Sequence, residues 1–292
     1  MRIDKWTIIA LSIALLLWSS SYAAVRASLP AFTPGHIALL RFLIASILLA
    51  IFAFSTHIKL PKLKDVPMIF LLGFLGVFVF HTAQNYGMIT VTAGSSGMTM
   101  GSVPIFTAVL AAIFLREKLK LWCWFSIFIS FLGVFLIALG EREGVKFDLG
   151  IVLILTATIA AAVYFVLQKP YLIKYTALQL VTYMIWAGTL PLLVFTPGLI
   201  KEVVHAPLEA NIAVIYLGLF PSAVAYITWS YALSRAPASI TTSFLYLQPL
   251  LAVFIAWIWL DEVPPLISII GGFVTILGVF LVNKSGLSSS GS

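Results

Sequence analysis

The chain has 292 residues, of which 62% are hydrophobic and 9% charged, with a mean hydropathy of +1.11. A soluble globular chain is about 25% charged, so 17 Lys+Arg and 10 Asp+Glu cannot coat a water-facing surface of this size, and lipid must be the solvent. No stretch between the apolar runs is long enough for a soluble domain, which excludes a large extramembrane enzyme module. The net charge of +7 is scattered through short loops and forms no patch for nucleic acid.

A helix needs roughly 20 apolar residues to cross the hydrocarbon core. The first such run, 6–25, follows Arg2 and Lys5. Ala23 to Ala27 offers small residues for a signal-peptide cleavage site, but the run is longer than a signal core and reads as a span. Further spans are expected at 34–54, 66–86, 94–115, 121–140, 148–167, 177–196, 212–233, 239–260 and 264–283. The Ser- and Gly-rich tail 285–292 reads as a disordered end or a cloning scar. Cys123 is the single cysteine, so it makes neither an intramolecular disulfide nor a Cys-rich metal site.

Basic residues set the orientation. With a cytoplasmic N-terminus, the inside segments hold Arg2, Lys5, Lys59, Lys62, Lys64, Arg116, Lys118, Lys120, Lys169, Lys174, Arg235 and Lys284. The outside loops hold Arg26, Arg142, Lys146 and Lys201, while Arg41 lies within a span. Both termini are therefore expected in the cytoplasm.

A shift of 145 residues aligns the two halves without a gap. Leu132-Gly133-Val134-Phe135 falls on Leu277-Gly278-Val279-Phe280, Pro104 on Pro249, and Leu115-Arg116-Glu117 on Leu260-Asp261-Glu262. Each half, 1–140 and 141–284, thus holds five spans. Five is odd, so the second half enters the membrane upside down. The expected fold is all-α and integral to the membrane: ten transmembrane helices as two inverted five-helix repeats around a central cavity.

These repeats, with Leu17-Trp18-Ser19-Ser20-Ser21, Arg41-Phe42 and the paired Pro…Leu-x-Glu segments, resemble the drug/metabolite transporter superfamily, EamA type. The resemblance covers nearly the whole chain. Within the superfamily the chain looks most like bacterial inner-membrane exporters of amino acids, aromatic ones included. It implies a multi-pass protein of the bacterial inner membrane, acting as a monomer or homodimer on a small-molecule substrate within the lipid bilayer, without nucleic acid.

Polar groups within spans face the bundle interior, because lipid offers them no partner. His81, Gln84 and Asn85 share one helical face, and the same positions in the second half are Tyr226, Trp229 and Ser230. Ser95, Thr99 and Ser102 stand at i, i+4, i+7 before Pro104. Thr241, Tyr246 and Gln248 precede Pro249, while Trp18 pairs with Tyr22 and Tyr164 with Gln168 at i, i+4. The expected substrate-binding residues are Trp18, Tyr22, His81, Gln84, Asn85, Thr99, Tyr164, Tyr226, Trp229, Tyr246 and Gln248. Pro104 and Pro249 are the expected hinges or gates. His81 is equally readable as a helix-to-helix hydrogen bond, and Ser95 and Ser102 as close-packing residues. Arg41 reads first as a structural anchor and second as a partner for a substrate carboxylate.

Such a lining suits a neutral or zwitterionic amphipathic molecule. No nucleophile–base set, HExxH motif or ATP-binding loop occurs, and neither cofactor nor metal is expected. One intramembrane Arg is too little for phosphorylated cargo. All ten acidic residues fall in loops, tails or span ends, which favours facilitated movement over ion coupling. A lipophilic-cation exporter, binding through cation–π contacts, is the alternative, as is proton-coupled exchange through His81.

Overall fold

A computed structural model describes residues 4–114, 121–140, 148–235, 241 and 244–286. Among the described residues every regular element is helical. Six helical runs are long and apolar enough to cross a membrane: α1 (Lys5–Ser28), α2 (Pro34–Ser55), α3 (Leu63–Gly87), and then Leu149–Gln168, Ala177–Phe195 and Leu208–Arg235. Between α3 and the fourth of these lie α4 (Ala93–Met100), α5 (Val103–Phe114) and α6 (Leu121–Gly140). The later three are α7, α8 and α9, followed by α10 (Gln248–Leu260) and α11 (Leu266–Gly286).

Local chemistry starts these helices where the apolar runs begin. Asp4 accepts from the Thr7 amide at 3.0 Å, and the Thr33 hydroxyl from that of His36 at 3.4 Å. Thr176 and Gln179 form a reciprocal capping box at the head of α8. Each cap satisfies an amide that the first helical turn leaves without a carbonyl.

Two spans differ from a continuous apolar helix. The expected span at 94–115 is broken: α4 ends at Met100, a turn covers Gly101 and Ser102, and α5 begins at Val103. In the span at 239–260, a 3₁₀ turn, Phe244–Leu247, leads into α10. Pro104 and Pro249 each lie in the first turn of the helix that follows, where the missing N–H costs nothing. They open helices and do not kink them.

Equivalent positions in the two halves share local structure and packing. α3 contains a π-helical stretch at Phe74–Val79, and α9 contains one at Gly218–Val224; residue 74 plus the 145-residue shift is 219. Gly73 packs against the backbone of Met184 and Gly188 on α8, and Gly218 packs against Arg41 and Ile44 on α2. α6 and α11 pack along their length. There Gly133 meets Thr275 and Gly271, while Gly278, its counterpart, meets Ser130 and Ser126, theirs. Side chains at these glycines would strike a neighbouring backbone, so the sequence needs glycine for helices to come this close.

Candidate functional site

The π-helical stretches matter because they release backbone carbonyls. The Gly76 carbonyl accepts from the Tyr226 hydroxyl at 2.7 Å, and the Pro221 carbonyl accepts from Trp18 Nε1 at 3.2 Å. Gly76 and Pro221 are themselves one repeat shift apart. Each bond ties one half of the chain to the other.

Tyr226 also meets His81, its repeat counterpart, with 2.9 Å between the hydroxyl and Nε2. The hydroxyl has one proton, and that proton goes to Gly76. Nε2 therefore donates to Tyr226, and Nδ1 of a neutral ring is left as an acceptor. Nδ1 is buried without a partner. Phe42 and Phe80 flank the imidazole, with ring centroids at 4.7 and 4.4 Å.

Around this pair lies a cavity of ≈ 40 Å³. At 10–15 Å³ per water, it has room for about three waters. Seven expected residues line it: Trp18, Tyr22, His81, Gln84, Tyr164, Tyr226 and Gln248. The Gln248 amide donates to the Tyr22 hydroxyl at 3.0 Å, again joining the halves. The walls come from α1, α3, α4 and α5 of the first half and from α7, α9, α10 and the 3₁₀ turn before it in the second.

Other expected residues stand outside the lining. Asn85 donates to the Pro34 carbonyl at 3.1 Å and ties α3 to α2. Thr99 bonds back to the Ser95 carbonyl of its own helix at 2.9 Å. Trp229 is fully buried against Trp18 and Phe165, with centroids at 5.1 and 5.0 Å. The side chain of Tyr246 lies outside the described residues, as does Glu117. Arg41 is fully buried and donates through Nε to Ser222 at 2.7 Å, but neither Nη finds a partner and it does not line the cavity. Ser21, Met100 and Phe165 line it and were not anticipated. Ser21 lies between Trp18 and Tyr22 at helical spacing, which was the available signal. Met100 and Phe165 had none, because an apolar residue in an apolar span carries no mark of facing inward.

Polar ties close both ends of the bundle. At one end Arg26 bridges Glu262 at 3.5 Å and donates to the carbonyls of Met88 and Ile89. Glu262 also accepts the Ala93 amide at the head of α4, and Glu202 holds Thr33 and His36. At the other end Asp65 accepts from Lys174 at 3.0 Å and from Tyr175 at 2.8 Å. That hydrogen bond from Lys174 holds its ammonium above the ordinary lysine pKa.

The sequence pattern of the EamA-like transporter family matches residues 5–139 and again 148–284. The chain belongs to the EamA-like transporter family. It is a multi-pass membrane protein, and its family is one of transporters. It is 43% identical over 268 residues to the uncharacterized transporter YdfC of Bacillus subtilis, covering 92% of this chain and 88% of that one. It is 33% identical over 290 residues to a probable terminal-alkyne amino-acid exporter of Streptantibioticus cattleyicolor, covering 98% and 96%. The uncharacterized inner membrane transporter YedA of Escherichia coli is 27% identical, covering 84% and 80%. A solved crystal structure, 16% identical, superposes with a TM-score of 0.67 over the whole chain and 99% of its own, which speaks to the fold.

Proposed function

We propose that this EamA-like protein exports small amphipathic metabolites, neutral or aromatic amino acids above all, across the bacterial inner membrane. The observation that carries the reading is the cavity wall: aromatic rings and uncharged amide and hydroxyl groups, drawn from both halves of the chain. Rings accommodate an apolar side chain, and amides, hydroxyls and the His81 Nδ1 acceptor meet a zwitterion's polar end. Trp18, Tyr22, His81, Gln84, Tyr164, Tyr226 and Gln248 form the contact set, with Trp229 supporting Trp18. Arg41 ties α2 to α9 through Ser222.

The proposed fold is ten spans in two inverted five-span repeats, 1–140 and 141–284, with both termini cytoplasmic. Residue pairs one repeat shift apart that touch each other support a twofold relation, because only positions on a twofold axis can meet their own equivalents. His81–Tyr226 and Ser130–Thr275 are two such pairs. In this frame the Arg26–Glu262 tie seals the periplasmic end and the Asp65–Lys174 tie the cytoplasmic end. Transport is alternating access, with the breaks before Pro104 and Pro249 letting paired helices tilt. Among the described residues no carboxylate lines the cavity, which supports facilitated movement down the substrate's own gradient. The test is exchange of radiolabelled amino acids by purified protein in liposomes, with the loss of exchange in His81→Ala and Gln248→Ala at unchanged folded yield.

A further inference from the structure

A second group of polar side chains lies beside the cavity without lining it. Trp229 and Ser230 of α9 and Gln168 of α7 are fully buried, and the Tyr164 hydroxyl joins them. Five of their polar atoms have no hydrogen-bond partner: Tyr164 Oη, both amide atoms of Gln168, Trp229 Nε1 and Ser230 Oγ. The Tyr164 hydroxyl lies beside Ser230 and Gln168. Buried polar atoms are nearly always satisfied, so the underused groups of Tyr164, Gln168 and Ser230, with Trp229 next to Ser230 along α9, mark a place for a polar guest.

Their chemistry selects that guest. The indole donates only, the Gln168 amide carries two N–H groups, and the two hydroxyls can each donate. The cluster is donor-rich and uncharged. α7 runs from it directly into Lys169, whose ammonium is held on the Leu233 carbonyl, and α9 ends at Arg235, so the approach is basic. Tyr164 belongs to both places, its ring in the cavity wall and its hydroxyl in the cluster. On the other side, His81 Nδ1 and Gln84 Oε1 are orphaned acceptors facing the cavity from α3.

We propose that Gln168, Trp229, Ser230 and the Tyr164 hydroxyl form a carboxylate-binding station next to the central cavity on the Lys169 side. It orients a zwitterion with its carboxylate toward α7 and α9 and its ammonium toward His81 and Gln84. This rests on the amino-acid reading above and adds a polarity to it.

The test uses the full chain in liposomes, with exchange of radiolabelled L-phenylalanine competed by unlabelled L-phenylalanine or by phenethylamine, which keeps the ring and amine and lacks the carboxylate. Gln168→Leu and Ser230→Ala should weaken competition by L-phenylalanine about tenfold, as expected for one lost bond to a charged group, and leave phenethylamine unchanged. Gln168→Glu conserves size, repels a carboxylate and attracts an ammonium, so it should reverse the preference. Equal effects on both competitors, or none, in protein that still exchanges L-phenylalanine would overturn the station and leave the transport reading standing. Wild-type protein that exchanges no amino acid would overturn the transport reading and the station with it.

Discussion

His81 and Tyr226 occupy the same position in the two halves of the chain, and the imidazole Nε2 lies 2.9 Å from the phenol oxygen. The bond continues to the Gly76 carbonyl inside a π-helical stretch, so one hydroxyl satisfies two buried groups. Tyr226→Phe keeps the ring and orphans both. Each orphan costs about 1–3 kcal/mol. We expect a lower thermal midpoint in detergent and impaired exchange. An unchanged midpoint would mean that water replaces the hydroxyl.

Ser130 and Thr275 make the corresponding contact between α6 and α11: the Ser130 hydroxyl donates to the Thr275 carbonyl at 3.2 Å, while the Thr275 hydroxyl, 3.5 Å from the Ser130 carbonyl, donates to Gly271 of its own helix at 2.9 Å. Ser130→Ala and Thr275→Val should each cost about 1 kcal/mol. Gly278→Leu should cost far more, because its side chain would strike the Ser126 and Ser130 backbone. Size-exclusion profiles of the solubilised variants give the ranking. Gly278→Leu eluting like the wild type would show that the two helices can separate freely.

The end ties predict opposite consequences for access. Glu262→Gln weakens the Arg26 bridge and should raise labelling of cysteines placed at Ala93 from the periplasmic side. Asp65→Asn removes the charge that pairs with Lys174 and turns one of the two accepting oxygens into a donor, and should do the same for a cysteine at Lys62 from the cytoplasmic side. Because the Asp65 hydrogen bond raises the Lys174 pKa, and the Tyr175 and Lys174 hydrogen bonds hold the Asp65 carboxyl below the usual carboxylate range, this tie is complete at neutral pH and is lost only as pH rises through the raised value or falls through the lowered one. Wild-type accessibility should therefore stay flat from pH 6 to 8, and a change within that range would implicate another group.

Orientation is checked by the loops themselves. Cysteines in 141–147 should react with an impermeant reagent from the periplasm, and those in 116–120 should not. Equal reaction from one side would contradict the inverted arrangement.

Much of this architecture was legible because lipid imposes simple rules. Apolar runs located six long spans to within a few residues, and the 145-residue shift made His81 and Tyr226 equivalents, though it gave no sign that the two side chains touch. Polar spacing found the cavity residues on α1, α3, α7 and α9, since a polar side chain in a span must face inward. It failed for Asn85 and Thr99, which satisfy themselves on nearby carbonyls, because facing inward does not require facing a cavity. The π-helical stretches and the break at Gly101 carry no periodic signature, since they depend on how neighbouring helices take up the released carbonyls. Arg41 was readable as buried, and its bond to Ser222, 181 residues away, needed the fold.

The central claim is carriage of amino acids through the cavity around His81 and Tyr226 without an imposed ion gradient. The most direct measurement is counterflow in liposomes holding purified protein and an internal excess of unlabelled amino acid, with no pH or sodium step. The account predicts transient accumulation of labelled aromatic and neutral amino acids, strongly reduced in His81→Ala and Tyr226→Ala at equal folded yield. Accumulation that appears only on imposing an ion gradient and vanishes with an ionophore would contradict facilitated movement, and accumulation indifferent to both substitutions would contradict the site.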